Sequence, residues 1–91
     1  MIPKQRLLQQ VAPSTNHQMI QNLSELVDKL NTFPTLTRKD YLDKSVYFGE
    51  IDSVTQKRSG LGVYLYSQGD IYFGDWEQNN LTSGNYIFRN G

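Results

Sequence analysis

Two pairs of carboxylates in this 91-residue chain have a spacing that suits acid–base or cation chemistry. Glu50 and Asp52, and then Asp75 and Glu77, lie two residues apart, which on a β-strand places both members of a pair on one face. Such a pair could bind a hard cation or act as acid and base. No nucleophile with an orienting group falls beside either pair, so we interpret both as the solvated outer face of a half-buried sheet.

Nitrogen and sulfur ligands are scarce. The chain contains one histidine, His17, and no cysteine. A zinc site built from these ligands would need more of them, and cysteine nucleophiles, disulfides and thiolate redox chemistry are excluded. We interpret His17 as a residue on the surface of a helix. The sequence therefore predicts a protein that is not an enzyme, with no catalytic residue, no metal site and no cofactor.

Charge is balanced, with nine basic and nine acidic residues. A protein that binds nucleic acid through bulk electrostatics needs a basic excess, so we expect no nucleic-acid partner. Small basic groups at 38–39, 44 and 57–58 could contact an anionic membrane surface. Each basic residue contributes only about 1 kcal/mol to such contact, so a membrane surface is a weak alternative.

The second half of the chain contains an internal repeat. The tetrapeptide YFGE at 47–50 recurs as YFGD at 72–75, and GVYLYSQG at 62–69 recurs as GNYIFRNG at 84–91. The first copy is longer between its two parts, as a hairpin loop of variable length would make it. Each unit therefore predicts strand, turn and strand.

The predicted strands alternate their faces. The first unit has strands over 46–52 and 62–66, and the second over 71–77 and 84–88, with a tight turn at 67–70 between the units. Most aromatic residues of the chain lie in these strands. Their rings are expected to form the core of a hairpin sheet, and Tyr and Trp in such a place also suit protein recognition.

The repeated pattern, Tyr-x-Gly-Glu/Asp followed by Gly-x-Tyr-x-Tyr/Phe-x-x-Gly, resembles the MORN repeat (membrane occupation and recognition nexus). Trp76 stands where the family usually has tryptophan, and the first unit has Ile51 there. The paired glycines of the family are present as Gly60 and Gly62, but the second unit keeps only Gly84. The resemblance covers 47–91 and implies an antiparallel meander of hairpins used for binding and scaffolding.

The first half predicts helices. Apolar residues recur at helical spacing over 17–33, which is typical of an amphipathic helix. One of residues 14–16 can cap its start. Pro34 disfavours helical geometry at Phe33, so the helix should end there.

Shorter helical turns are predicted over 4–11 and 38–44. The expected fold class is therefore α+β: a helical and extended docking segment at 1–45, followed by a small antiparallel β-meander of two MORN-type hairpins at 46–91.

Two hairpins cannot bury their apolar face by packing on each other, because repeat proteins usually need three or more units. The helix over 17–33 could cover the sheet or clamp a partner, and another protein could extend the sheet by strand addition. The residues expected to bind a partner are Met19, Leu23, Leu26, Leu30, Tyr64, Tyr66, Tyr72, Trp76, Tyr86 and Phe88.

We expect a structural or interaction subunit of a larger protein assembly. No apolar run reaches the length of a membrane span, and no secretory signal is evident, which favours an intracellular protein. Because multi-unit members of the family are common in cilia and cytoskeletal structures, the resemblance favours a ciliary or cytoskeletal complex. Residues 1–24 contain basic residues but no acid, as mitochondrial import signals do. The alternatives are an accessory subunit of a mitochondrial complex and a phospholipid or membrane-surface adaptor.

Overall fold

Two helices precede five strands in a computed structural model of the chain, which describes residues 1–89. The helices are α1 (Lys4–Gln9) and α2 (His17–Leu30). The strands are β1 (Thr37–Asp40), β2 (Val46–Ile51), β3 (Arg58–Leu65), β4 (Ile71–Glu77) and β5 (Asn80–Ile87). They lie in chain order in one antiparallel sheet, so the predicted α+β class with a β-meander is confirmed. The last residues of the repeat, 90 and 91, lie outside the described residues.

Asparagines flank helix α2 at both ends, Asn16 before its first residue and Asn31 after its last. The Asn16 side chain accepts hydrogen bonds from the backbone N–H groups of Gln18 and Met19, at 2.8 and 3.3 Å, which caps the first turn. The helix ends at Leu30, three residues before the predicted end. Asn31 then binds both backbone groups of Ile2, accepting from its N–H at 2.7 Å and donating to its carbonyl at 3.2 Å. The N-terminal residues are thereby tied to the end of α2.

The helices cover one face of the sheet. Leu23, Val27 and Leu30 of α2 are fully buried, together with Ile2 and Leu7 of the N-terminal segment. They belong to one apolar core with the alternate strand residues Phe48, Val63, Ile71, Phe73 and Ile87. The helix that could have covered the sheet or clamped a partner therefore covers its own sheet.

The register brings the repeated residues into rows across the sheet. Four tyrosines, Tyr47, Tyr64, Tyr72 and Tyr86, are consecutive cross-strand neighbours, and so are Gly49, Gly62, Gly74 and Gly84. A Cβ at Gly62 would clash with the Tyr47 ring, and a Cβ at Gly74 would lie 2.6 Å from the Cα of Gly84. The glycine row therefore lets rings and neighbouring backbone approach more closely than any side chain would allow.

The prediction of a helical turn over 38–44 is wrong. Thr37–Asp40 forms β1 and pairs antiparallel with β2, from Thr37 opposite Gly49 to Asp40 opposite Val46. A tight turn follows, closed by the Tyr41 N–H donating to the Ser45 carbonyl at 2.9 Å. Pairing with the next strand overrides local helix propensity here, and the sheet extends into the segment expected to be helical.

Strands β3 and β5 begin earlier than the pattern predicts, at Arg58 and Asn80. The β4–β5 connection is a two-residue turn in which Gln78 and Asn79 both have positive φ, 46° and 73°. That geometry is typical of hairpin turns with glycine. Because neither residue is glycine, the local sequence carries little signal for the turn.

Replacing Leu23 by alanine should lower the free energy of unfolding by about 2–5 kcal/mol, because it leaves a cavity between α2 and the sheet. The exposed Gln21 on the same helix is the matched control, and Gln21→Ala should change stability by no more than about 0.5 kcal/mol. Chemical denaturation followed by circular dichroism measures both. Equal stabilities of the two variants would contradict the packing of α2 on the sheet.

Candidate functional site

The sheet face opposite the helices is lined by aromatic side chains, and we call it the aromatic face. Its buried centre is formed by Tyr47, Tyr64 and Trp76. Within residues 1–89, none of the hydrophobic residues that pack on this cluster lies in a helix. The rings of the aromatic face are Tyr41, Tyr47, Tyr64, Tyr66, Tyr72, Trp76, Tyr86 and Phe88.

The rings form a continuous ladder towards β5. Ring centroids are separated by 4.5 Å between Tyr64 and Tyr66, by 4.7 Å between Tyr66 and Tyr72, and by 4.4 Å between Tyr72 and Tyr86. The exposed fraction rises along the ladder, to 47% for Tyr86 and 53% for Phe88. The accessible part of the aromatic face therefore lies at the β5 side of the sheet.

Arg58 fills the centre of the aromatic face. Its guanidinium carbon lies 4.5 Å from the ring centroid of Tyr64, 4.9 Å from Trp76 and 5.4 Å from Tyr41, within the range of cation–π attraction. Its Nη1 donates to the Tyr41 hydroxyl at 2.8 Å, and Nη2 donates to the Asn79 carbonyl at 2.9 Å. The sequence alone predicted a basic surface group for Arg58, because nothing local indicates that rings from the β1–β2 turn, from β3 and from β4 surround it.

The other basic residues are partly engaged within the chain. Arg38 forms an ion pair with Asp40 at 3.0 Å, and hydrogen bonding to that carboxylate raises the pKa of Arg38. Lys39 donates its ammonium to the Gln56 carbonyl, whereas Lys44 is exposed. The structure therefore leaves only part of the predicted basic surface free for an anionic partner.

The first carboxylate pair, Glu50 and Asp52, accepts hydrogen bonds from nearby backbone N–H groups. Glu50 accepts a hydrogen bond from a backbone N–H of β3 at 2.8 Å. Asp52 accepts from the backbone N–H groups of Thr55 and Val54 at 3.0 and 2.7 Å, and from the Gln78 amide at 3.0 Å. These hydrogen bonds, with that of Thr55 the largest contribution, lower the pKa of Asp52. Its position is that of a residue that orders the β2–β3 loop.

The remaining candidates for chemistry are exposed. Asp75 and Glu77 lie on the surface of β4, and His17 lies on the surface at the start of α2. In the part of the chain that the structure describes, no three His, Asp or Glu side chains are grouped as a metal site would require. No helix there has the length and apolar character needed to cross a bilayer.

The ten residues predicted to bind a partner do not lie together, because the α2 side chains and the aromatic side chains face opposite sides of the sheet. Leu23, Leu30, Tyr64 and Trp76 are buried within the chain and leave almost no surface for a partner. The prediction stays open for the side chains that keep accessible surface, which are Met19, Leu26, Tyr66, Tyr72, Tyr86 and Phe88.

No family model, curated protein or solved structure matches the chain. The resemblance to MORN repeats therefore stays a prediction from the repeated residues. What the protein does must be argued from its surfaces.

Trp76 stacks on Tyr64 at the buried end of the aromatic ladder, with ring centroids 5.9 Å apart. It is 6% exposed, and its Nε1 donates to the Gly62 carbonyl at 3.1 Å. Trp76→Ala should lower the free energy of unfolding by about 3–5 kcal/mol, because a large buried ring is removed. The half-exposed Phe88 is the control, and Phe88→Ala should have a much smaller effect. A Trp76 variant as stable as the Phe88 variant would mean that the aromatic face is not a second core.

Because Tyr47 is fully buried, we expect the folded chain to lose stability at alkaline pH. Burial raises the pKa of its phenol above the usual value, with a nearby positive charge at Arg58 opposing this, and its hydroxyl donates to the Glu50 carbonyl at 2.7 Å. The unfolded chain releases this proton near pH 10 while the folded chain keeps it. The protonated Tyr47 phenol therefore contributes its full stabilisation of the fold below about pH 10. Above that pH, the free energy of unfolding should fall by up to about 1.4 kcal/mol per pH unit.

Urea denaturation between pH 8 and about 11.5 measures this slope, and that upper limit lies above the usual tyrosine pKa. The Tyr47→Phe variant should show a shallower slope than the unmodified chain, although it is less stable at neutral pH. Tyr64 and Tyr72, whose pKa values burial also raises, contribute equally to both proteins. Identical slopes would contradict the burial of the Tyr47 hydroxyl.

Proposed function

We propose that this chain is a non-enzymatic interaction subunit of a larger protein assembly and that it docks through the β5 side of the aromatic face. One observation carries the proposal: Tyr86 and Phe88 remain about half exposed at one end of an aromatic ladder whose other end, at Tyr64, is buried. Large aromatic side chains are enriched at protein interfaces, where they supply much of the binding energy.

The charges around this surface favour protein over nucleic acid as the partner. Stacking of bases on aromatic side chains requires a basic groove that follows the phosphate backbone. Arg58, the cation nearest the centre of the aromatic face, is already held by Tyr41 and Asn79. With nine basic and nine acidic residues in the chain, the general attraction to a polyanion is small.

The resemblance to MORN repeats supports a ciliary or cytoskeletal assembly as the context. The alternative, an accessory subunit of a mitochondrial complex, is supported by the acid-free stretch at 1–24. Ile2 and Leu7 of that stretch belong to the apolar core. Cleavage of an import signal there would remove core residues, so the cytoskeletal context is favoured. A membrane-surface adaptor is the third candidate, and the engagement of Arg38 and Arg58 within the chain weakens it.

Affinity purification of the tagged chain at moderate salt, followed by quantitative mass spectrometry, tests the proposal. Stoichiometric protein partners should be recovered with the unmodified chain and should fall at least about tenfold with the double variant Tyr86→Ser/Phe88→Ser, which corresponds to about 1.4 kcal/mol of binding energy. Val54, which is 87% exposed on the β2–β3 loop, gives the matched control Val54→Ser. A folded chain recovered alone would contradict the proposal.

A further inference from the structure

The two edges of the sheet differ in length and charge. Strand β1 has four residues, of which Arg38, Lys39 and Asp40 are charged, and such short charged edges resist pairing with another strand. Strand β5 has eight residues, NLTSGNYI, and none is charged. Among residues 1–89, no strand pairs with the outer side of β5. The backbone groups on that side are therefore open to another strand.

The internal repeat indicates which sequence would fit there. Strands β3 and β5 share the pattern Gly-x-Tyr-aliphatic, as GVYL at 62–65 and GNYI at 84–87. On both sides of β3 lies an antiparallel strand with the pattern aliphatic-Tyr-Phe-Gly, VYFG at 46–49 and IYFG at 71–74. The inner side of β5 pairs with IYFG in the same register. Its outer side is the one place in this series without such a strand among the described residues.

The glycine and tyrosine rows define two positions of the missing strand. Gly74 lies so close to Gly84 that a Cβ on it would meet the Gly84 Cα at 2.6 Å. The outer side of Gly84 corresponds to the side of Gly62 that faces β4, where the opposite residue is Gly74. The repeat therefore places a glycine opposite Gly84 in a strand on the outer side. An aromatic ring opposite Tyr86 would continue the tyrosine row and cover the half-exposed phenol.

A small cavity defines the third position. A row of aliphatic cross-strand neighbours lies on the face that the helices cover and ends in β5. It consists of Val46, Leu65, Ile71 and Ile87. Beside Ile87 lies a cavity of about 110 Å³, lined by Thr15, Asn16, Met19, Tyr86, Ile87 and Phe88. Thr15 is 8% exposed, and its hydroxyl has no hydrogen-bond partner in the described structure. An aliphatic side chain opposite Ile87 would lie beside this cavity.

We propose that the outer edge of β5 pairs antiparallel with an extended, aliphatic-aromatic-x-glycine segment of a different protein. The aliphatic, aromatic and glycine residues lie opposite Ile87, Tyr86 and Gly84, and backbone hydrogen bonds supply the affinity. A second copy of the chain does not supply this segment, because its two segments of this pattern, in β2 and β4, are already paired on both sides. The inference rests on the proposed function and specifies its partner.

A peptide with the sequence of residues 70–77, DIYFGDWE, is the probe. Titrated into the full ¹⁵N-labelled chain to about millimolar concentration, a range suited to weak complexes, it should shift and protect amides of residues 83–87. Residues 15–19, which line the cavity, should shift with them. A peptide with valine in place of its glycine is the matched control and should bind at least about tenfold more weakly. The chain variant Tyr86→Lys should likewise weaken binding of the first peptide.

Two results would overturn the inference: no change at β5 at about millimolar peptide, or equal binding of the glycine and valine peptides. Either result leaves the proposed function standing if proteins still co-purify with the chain through Tyr86 and Phe88. The proposed function fails on a different result: either no protein partner is recovered, or recovery does not fall with the Tyr86→Ser/Phe88→Ser variant.

Discussion

The close approach of four strands along a row of glycines is the constraint on which the rest of this structure depends. Gly49, Gly62, Gly74 and Gly84 lie side by side across β2 to β5. Without side chains in this row, the Tyr47 ring lies directly against Gly62, and the Trp76 indole reaches the Gly62 carbonyl. A larger residue at Gly49 or Gly62 would meet the Tyr47 side chain, and one at Gly74 or Gly84 would meet the backbone of the neighbouring strand. The glycine row therefore determines how closely the strands and the Tyr47 ring can pack.

The chain thereby obtains two apolar layers from one small sheet. On one face the helices, tied down by the Asn31 contacts to Ile2, bury the aliphatic strand residues. On the other face the aromatic rings pack on the glycine row and around the Arg58 guanidinium. The Arg58 guanidinium lies among three rings and fills a space that would otherwise be open to water. Its long aliphatic stem adds packing as well as charge.

This second layer is left incomplete at the β5 side of the sheet. Burial decreases from Trp76 towards Tyr86 and Phe88, in the same direction in which the sheet ends in an uncharged strand. Exposed aromatic surface and unpaired backbone groups thus coincide at β5, whereas the β1 edge carries charged residues. Exposed rings gain from burial by a partner, and the backbone groups of β5 can exchange water for hydrogen bonds to an added strand. Their coincidence is the physical basis of the proposal that the protein is part of an assembly.

The sequence alone determined the strands of both repeat units, the long helix and the exclusion of cysteine chemistry, because these follow from local periodicity, turn residues and composition. Gly69, for example, adopts the positive φ of a tight turn as its sequence context predicts. Only the tertiary structure decided that Thr37–Asp40 is a strand and that Arg58 lies among Tyr41, Tyr64 and Trp76. It also decided that α2 covers its own sheet. In each of these cases the deciding contacts join different elements of the fold, and the pattern within one segment carries no information about which other element it meets.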